Sequence, residues 1–229
     1  MLASMPLLPS GFIEPCLPSK VSKPPTGGRW LHEIKIDGYR LLPHRDAERV
    51  RLITRHRTDL SDWYPYVGAA IAGLKCTNCI IDGEIASPDE SGVPSFNRLQ
   101  RRQPALLYAF DLLELDGADL RFEPIEVRKA TLATLLDKAQ GPITLCEYIE
   151  GDAMLIFQHA CKLGYEGIVS KRAGSRYRSG RSLDWLKMKN PESDAVARER
   201  GAVAALAIST EMSAADLRCS GVRRRGDNI

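Results

Sequence analysis

The sequence lacks an apolar segment of the length that a membrane-spanning helix requires, which is about 18 residues. Residues 1–11 contain no lysine or arginine, so they also lack the basic start of a secretory signal. A strong charge imbalance is missing too, because 32 basic and 29 acidic residues leave a net charge of +3. We therefore expect no membrane association. Total charge does not indicate a nucleic-acid partner, although local basic clusters such as Arg98, Arg101 and Arg102 can bind phosphates.

Cysteine is too scattered to indicate a disulfide framework, with six residues at positions 16, 76, 79, 146, 161 and 219. Cys76 and Cys79 have the spacing of half a zinc site, but no second Cys/His pair follows at a suitable distance. We interpret the six residues as reduced thiols and predict a cytoplasmic protein. A Walker-type phosphate loop is absent as well, because Thr26 to Arg29 lacks the lysine and the helix that such a loop needs. Any nucleotide would have to be held by side chains.

The 229 residues are sufficient for one large domain, or one domain with an appendage, and an apolar fraction of 44% is ordinary for a globular protein. Alternating and apolar runs predict strands at 30–36, 39–42, 50–54, 79–86, 105–113, 143–149, 167–171 and 185–189. Helical patterns cover 62–74, 95–102, 124–139 and 152–163. We expect strands 39–42 and 50–54 to pair with strand 30–36. Since the elements show no βαβ regularity, the pattern favours an α+β fold with largely antiparallel sheets flanked by helices.

The segment from Glu33 to Arg40 places Lys35 in an alternating apolar stretch that runs into Asp37-Gly38. Alone, this pattern indicates a hairpin turn with a lysine facing solvent. Lysine becomes a nucleophile only where desolvation or nearby positive charge lowers its pKa, because an ammonium group cannot attack. The chemistry of Lys35 therefore depends on what else the chain supplies.

Four further motifs supply suitable chemistry. The carboxylate in Asp82-Gly83-Glu84 can bind a ribose hydroxyl or a metal, or the motif can be a solvent-facing turn. Tyr108 to Asp111 places a ring inside an apolar strand, where it packs in a core or stacks on a base. Glu166 to Lys171 brackets an apolar strand with an acid and a base. Lys187 and Lys189 alternate onto one strand face, where they repel each other unless an anion such as a triphosphate lies between them.

Together, the five motifs fit a nucleotidyl-transfer site, because phosphoryl transfer needs chiefly positioning and charge neutralisation. In their order and spacing they resemble the adenylation domain of ATP-dependent DNA ligases. They are most similar to the ligase module of bacterial end-joining ligases of the ligase D type and its short stand-alone relatives. The resemblance extends from about Leu8 to Pro191 and implies an ATP-grasp-like fold.

The resemblance implies a role for each residue that matches a motif. Lys35 would attack the α-phosphate of ATP and form a Lys–AMP bond, and the AMP would pass to a DNA 5′-phosphate before the 3′-hydroxyl displaces it. Glu84 and Glu166 would hold a divalent metal, Mg²⁺ or Mn²⁺. The nucleotide-binding residues would be Glu33 beside the adenine, Phe110 stacked on it, Arg40 and Glu84 at the ribose or phosphates, Arg55 at the phosphate and the nick, and Lys171, Lys187 and Lys189 at the phosphates.

The resemblance also divides the chain. Residues 1–191 would form the adenylation domain, with an extended lead-in. Residues 192–229 would form a helix and a poorly ordered basic tail in place of an oligonucleotide-binding (OB) barrel, because they are too few for five strands. Arg223 to Asp227 does not match the motif of that barrel, which in the family helps to load AMP. Self-adenylation and sealing by this chain alone are therefore left open.

Three functions remain open. The leading one is an ATP-dependent DNA ligase acting on nicked or broken duplex DNA as a monomer. It could work with a Ku-type end-binding protein or a separate OB or repair module. The second is an RNA ligase or capping-type nucleotidyltransferase, which shares the lysine motif. The third is a truncated ligase that binds DNA and seals nothing.

Overall fold

The structure is a computed structural model that describes residues 12–201, and its strands form two sheets. Within that range the strands are β1 (Cys16–Lys20), β2 (Trp30–Ile34), β3 (Tyr39–Asp46), β4 (Arg49–Thr54), β5 (Asn78–Pro88), β6 (Pro94–Ser95), β7 (Leu106–Leu115), β8 (Ala118–Asp119), β9 (Ile143–Leu145), β10 (Tyr148–Ile149), β11 (Gly167–Arg172) and β12 (Gly180–Lys189). The first sheet has the order β1-β12-β11-β2-β10. The second has the order β4-β3-β5-β7-β8, with β6 paired to β5 and β9 paired to β7.

Pairing is antiparallel except between β1 and β12 and between β7 and β9. This arrangement confirms the predicted α+β class with largely antiparallel sheets. None of the helices within residues 12–201 combines the length and apolar character needed to cross a membrane.

The helices begin and end near the predicted residues. They are α1 (Pro65–Ala72), α2 (Phe96–Gln100), α3 (Ile125–Leu136) and α4 (Ala153–Lys162), together with a 3₁₀ turn at Ser61–Trp63 and a helical stretch at 194–201. The predicted helix 62–74 is split because Pro65 starts a new helix at its first position. Asp152 caps α4 by accepting hydrogen bonds from the Met154 and Leu155 N–H groups. Ser95 occupies the N-cap position of α2, although its side chain makes no capping hydrogen bond.

The predicted pairing around Lys35 is wrong. Strand β2 pairs with β10 and β11, whereas β3 pairs with β4 and β5 in the other sheet. Residues 35–38 therefore cross from one sheet to the other instead of forming a hairpin. Trp30 through Glu33 are all buried, and β2 pairs on its two edges with β11 and β10, which come from distant parts of the chain and which local spacing does not predict.

Two other predictions change in the structure. Asp82-Gly83 does not form a solvent-facing turn, because β5 runs through it with only a register shift against β7, and Asp82 is fully buried. The predicted strand 143–149 separates into β9 and β10, which belong to different sheets. The chain changes sheets at Cys146, whose N–H donates to the Ala109 carbonyl at 2.7 Å and ends the pairing of β9 with β7.

The core positions the candidate site. One apolar cluster lies between the second sheet and helices α1 and α3, and includes Leu41, Ile71, Ile81 and Leu132. A second cluster joins the two sheets and consists of Ile13, Cys16, Leu31, Leu42, Ile80, Phe110, Leu113, Ile125, Cys146, Tyr177 and Trp185. Because the second cluster takes residues from both sheets, the cleft beside it is bounded by strands of both.

The last predicted segment falls mostly outside the described residues. Residues 194–201 are helical, and the basic tail predicted up to residue 229 lies beyond the part of the chain that the structure describes. The boundary at residue 191 stays a prediction.

Candidate active site

Lys35 lies directly after β2, where the chain begins its crossing between the sheets. Its backbone N–H donates to the Gly167 carbonyl at 2.9 Å, which ties the segment to β11. Its side chain is 19% exposed and points to a cavity between the sheets. The cavity is lined by Pro18, Glu33, Ile34, Lys35, Ile36, Arg40, Glu84, Phe110, Val169, Lys171 and Trp185. Five of the predicted site residues besides Lys35 are therefore brought together here.

Glu166 links Lys35 to the end of β12. Its Oε2 accepts a hydrogen bond from Lys35 Nζ at 2.5 Å, and its Oε1 lies 3.0 Å from Lys189 Nζ. Lys189 also forms an ion pair with Glu199 of the 194–201 helix. Lys187, on the same strand face, makes no ion pair within residues 12–201. Burial lowers the pKa of Lys187, and the charges of Lys35 and Lys189 lower it further.

Glu33 lies in a buried cluster of three charges. Its two oxygens are each 2.8 Å from an ammonium group, Oε1 from Lys129 and Oε2 from Lys171. The Lys129 contact is an ion pair without hydrogen-bond alignment, because Oε1 has no geometrically satisfied partner. Burial lowers the pKa of Lys171, whereas for Lys129 the attraction of Glu33 outweighs burial and the pKa is raised. Two cations facing one carboxylate leave an excess positive charge beside the cavity, which suits an electron-rich ligand.

Lys129 was missed by the sequence prediction. It lies on α3, where Ile125, Arg128, Lys129 and Leu132 are all buried. Charged residues on the apolar stripe of an amphipathic helix are a signal for buried ion pairs, since a surface helix places its charges on the opposite face. The same signal would have found Arg128, which forms a fully buried pair with Asp111 at 2.8 Å.

Phe110 contributes an aromatic wall to the cavity. Its ring meets Trp185 edge to face at 6.3 Å between centroids. The Arg40 guanidinium and the Lys171 ammonium each lie 4.5 Å from the ring centroid. Trp185, also absent from the predicted set, has a buried Nε1 without a hydrogen-bond partner within residues 12–201. The rings and cations together form a wall that can accept a planar base.

Arg40 is fixed by a network that sequence reasoning did not anticipate. Its guanidinium donates to both oxygens of Asp82, at 2.5 and 2.6 Å. The Tyr177 hydroxyl donates to Asp82 at 2.6 Å and accepts from the Cys16 N–H at 2.9 Å. Burial opposes the charge of Arg40, but Asp82 outweighs it and raises the pKa of Arg40. The arginine is thus a permanent cation held in one orientation at the cavity.

Glu84 lines the cavity and, unlike Glu33, forms no ion pair within residues 12–201. Burial raises its pKa to about 7, even though Lys35 and Arg40 act in the opposite direction. No group of three potential metal ligands exists within residues 12–201. Mg²⁺ is commonly held by one or two carboxylates together with substrate phosphates. Glu84, which has no ion-pair partner in the described part of the chain, suits such a metal. At Glu166 a metal would have to displace Lys35 or Lys189.

Glu166, Lys187 and Lys189 do not line the cavity but lie around Lys35. Arg55 lies away from both the cavity and Lys35. It lies exposed in the loop after β4, where its guanidinium contacts His56 Nε2 at 3.1 Å. Only its backbone approaches the site, through an N–H that donates to the Arg40 carbonyl at 3.3 Å.

The cavity is narrow in this conformation, with a free volume of about 60 Å³. A wider surface cleft of about 520 Å³ lies between residues 23–30 and 150–154, but it holds none of the predicted site residues. The chemistry favours the narrow cavity, because its cations suit phosphates and its rings suit a base. A nucleotide of ordinary size is larger than this free volume, so side chains that line the cavity must move apart before a nucleotide can enter.

Comparison with known proteins gives a consistent result. Residues 18–189 match the family described as an ATP dependent DNA ligase domain. The multifunctional non-homologous end joining protein LigD of Pseudomonas aeruginosa is 40% identical over 185 residues, which cover 78% of this chain and 22% of that protein. The solved ligase domain of M. tuberculosis LigD is 34% identical with a TM-score of 0.65, covering 77% of this chain and 60% of that one. A mycobacterial DNA ligase D complexed with ATP and MES has the same identity and a TM-score of 0.66, and also covers 77% of this chain and 60% of that one. The matched part of the chain spans about a fifth of the length of these LigD relatives.

Proposed function

The chain belongs to the family of ATP-dependent DNA ligases, and from this membership we propose that its two-sheet body is the adenylating module of a DNA-sealing enzyme. Lys35 Nζ attacks the α-phosphate of ATP, a P–N bond to AMP forms, and pyrophosphate leaves. The AMP then passes to the 5′-phosphate at a break in duplex DNA. The 3′-hydroxyl finally attacks that phosphate and releases AMP.

The observation that supports this proposal most directly is the position of Lys35 between a proton acceptor and a set of cations. An ammonium group must lose a proton before it can attack, and Glu166 Oε2, at 2.5 Å, is an acceptor within reach. Arg40 and Lys171 line the same cavity, and Lys187 lies near Lys35. These cations offset the negative charge of the phosphates during transfer.

For the remaining predicted residues we propose the roles that the family resemblance implies. Glu33 and Phe110, which line the cavity, would form the wall for the adenine, and Arg40 and Glu84, which line it too, would contact the ribose or phosphates. Lys171, Lys187 and Lys189 neutralise phosphates. Glu84 and Glu166 would hold Mg²⁺ or Mn²⁺, which when bound supplies charge neutralisation at the phosphates. Arg55 lies outside the cavity and is available to contact the DNA strand.

Labelled ATP tests the proposal. Wild-type protein and its Lys35→Ala variant are incubated with α-labelled ATP and either Mg²⁺ or Mn²⁺. The protein is then denatured and examined for label that stays bound to it. We expect label on the wild type and none on Lys35→Ala. Lys138→Ala is the control, because it changes an exposed lysine just after the end of α3, and this variant should label normally. Label that persists on Lys35→Ala would contradict the assignment of the nucleophile.

The substrate is tested separately. The RNA ligase and capping alternatives share the lysine chemistry, so self-labelling alone does not exclude them. Nicked DNA and the equivalent nicked RNA, offered to the labelled protein, distinguish the two, and we propose that AMP transfers to DNA. A protein that binds nicked DNA but never labels would support the truncated-ligase alternative.

Partners and location also belong to this proposal. The family resemblance favours a Ku-type end-binding protein or a separate OB or repair module as partner, a monomeric state and a cytoplasmic location. The five cysteines within residues 12–201 are free thiols, in agreement with a reducing compartment.

A further inference from the structure

A second surface with nucleic-acid chemistry lies outside the nucleotide cavity. It consists of Trp63, Tyr66 and Arg102, called here the aromatic platform. Trp63 is 61% exposed and Tyr66 is 40% exposed, although both are large aromatic side chains. They border a cleft of about 400 Å³ that is lined by Asp62, Trp63, Tyr64, Tyr66, Arg102 and Gln103.

The platform rings are held in place although they do not belong to the core. The 3₁₀ turn that carries Trp63 contains no buried residue. Tyr64, between the two rings in sequence, is buried and meets Tyr66 edge to face at 6.2 Å. Tyr64 therefore anchors the segment and leaves the neighbouring rings in solvent. Two exposed rings around one buried anchor differ from the single exposed apolar residues that are common on protein surfaces.

Arg102 completes the platform from another part of the chain. Its guanidinium lies 5.1 Å from the centre of the Trp63 ring. Its backbone has φ of +57° at the end of α2, in the left-handed region where glycine is usual. A side chain at such a position costs about 1 kcal/mol. Glycine would therefore be the easier residue at this position.

The charge of the platform is suited to a polyanion. Within residues 12–201, neither Arg101 nor Arg102 forms an ion pair with a carboxylate. Asp62 is the one acidic side chain that lines the cleft. Aromatic rings interleaved with unpaired arginines are the pattern that binds single-stranded nucleic acid, since every base can stack on a ring.

The platform connects to the nucleotide cavity through α2. Arg40 lines the cavity, and the adjacent Tyr39 meets Phe96 edge to face at 5.0 Å. Phe96 begins α2, which ends at Gln100, and Arg102 follows two residues later. The short helix α2 thus lies between the residue next to Arg40 and the platform.

We propose that the aromatic platform binds an unpaired segment of the DNA strand, with bases stacked on Trp63 and Tyr66 and a phosphate near Arg102. The inference rests on the proposed function for the identity of the strand, because single-stranded DNA next to a sealing site comes from an overhang or a frayed end. Its test requires neither ATP nor metal, so it is independent of Lys35 chemistry.

Binding to two matched DNA ligands tests the proposal. One fluorescein-labelled duplex carries a short thymidine overhang and the other is blunt, and anisotropy is measured without ATP or metal. We expect Trp63→Ala to weaken binding of the overhang duplex by roughly 10-fold. Binding of the blunt duplex should change by less than about twofold. Trp63→Phe, which keeps a ring, should restore most of the affinity.

Arg102→Gly separates binding from folding. Glycine relieves the left-handed backbone, so the melting temperature should stay the same or rise, while overhang binding weakens and its salt dependence decreases by about one counterion. Phe122→Ala is the control, because it removes another aromatic ring that is 58% exposed but lies far along the chain from the platform. It should leave both affinities unchanged.

Two results would overturn the proposal. Equal loss of overhang and blunt binding in Trp63→Ala would show that the surface contacts the duplex backbone. Unchanged overhang binding in both platform variants would show that it binds no DNA, leaving an acidic protein as the alternative. Failure of the proposed function is recognised differently: wild-type protein would bind the overhang yet take no label from ATP.

Discussion

At the scale of single residues, the charge of the cavity depends on which carboxylates already have partners. Glu33, Glu166 and Asp82 each contact one or more cations at ion-pair distance. Glu84 has no such contact within residues 12–201, and burial raises its pKa to about 7. Its ionisation therefore changes in the range in which enzymes commonly work.

This difference predicts a pH-dependent stability. A carboxyl group whose pKa rises on folding binds its proton more tightly in the folded state. Between its ordinary pKa of 4.5 and the folded value of about 7, stability therefore falls as the pH increases, by at most on the order of 3 kcal/mol. Glu84→Gln removes the group, so its stability relative to wild type should be greater at about pH 8 than at about pH 5.

Urea unfolding in the presence of a chelator measures this difference. Glu90→Gln is the matched control, since Glu90 is an exposed carboxylate, and it should show no comparable pH dependence. A Glu84→Gln difference that is the same at both pH values would show that Glu84 is ionised throughout.

Site residues could be predicted from the sequence where they lie close together along the chain. They could not be predicted where tertiary packing brings distant residues together. Glu33 and Lys35 are two positions apart on one segment, and Lys187 and Lys189 share a strand face, so spacing relates them. Lys129 reaches Glu33 only because α3, which packs on the second sheet, approaches β2 of the first sheet, and no local spacing connects the two residues. Tyr177 likewise donates to Asp82, the partner of Arg40, although Tyr177 and Asp82 are 95 residues apart in the chain.

At the scale of elements, the crossing segment after β2 depends on Gly38. A Cβ atom at that position would lie 2.0 Å from the Ile85 carbonyl oxygen of β5. The backbone of the lysine motif thus touches the neighbouring sheet, and the glycine is needed for this contact rather than for a turn. The sequence indicated a turn because Asp-Gly is a strong hairpin signal, whereas the approach to Ile85 is a tertiary contact.

Gly38→Ala should therefore destabilise the protein by at least about 3 kcal/mol, because backbone cannot yield as a flexible side chain can. Gly68→Ala is the matched control. Gly68 lies within α1 with nothing within 4 Å of an added Cβ, so alanine should stabilise by roughly 0.5–1 kcal/mol. Thermal or urea unfolding of both variants measures the contrast. A Gly38→Ala protein as stable as wild type would mean that the backbone at residue 38 does not approach Ile85 this closely.

At the scale of the whole molecule, the 194–201 helix contacts the motifs of the active site. Arg198 contacts both oxygens of Asp37, at 2.5 and 2.6 Å, and lies over the Phe96 ring at 4.7 Å. Glu199 forms an ion pair with Lys189. The helix therefore places the Glu199 carboxylate against Lys189, and the proposed function assigns Lys189 to a phosphate group of the nucleotide.

Removing that carboxylate should strengthen ATP binding. Glu199 is about half exposed, so its pair with Lys189 is worth at most about 1 kcal/mol, and Glu199→Gln should lower the Kd for ATP by up to about fivefold. Glu192→Gln removes an exposed carboxylate from the preceding turn and is the matched control. Equal affinities for wild type and Glu199→Gln would show that Glu199 does not compete with the nucleotide.

The contact between Glu199 and Lys189 also implies that ATP binding affects the 194–201 helix. Coupling between two binding events is reciprocal, so if docking of the helix weakens ATP binding by some factor, bound ATP weakens docking by the same factor. Amide hydrogens of residues 194–201 should then exchange faster when ATP is present. The helix would in this way report the nucleotide state of the cavity to whatever binds that face of the protein.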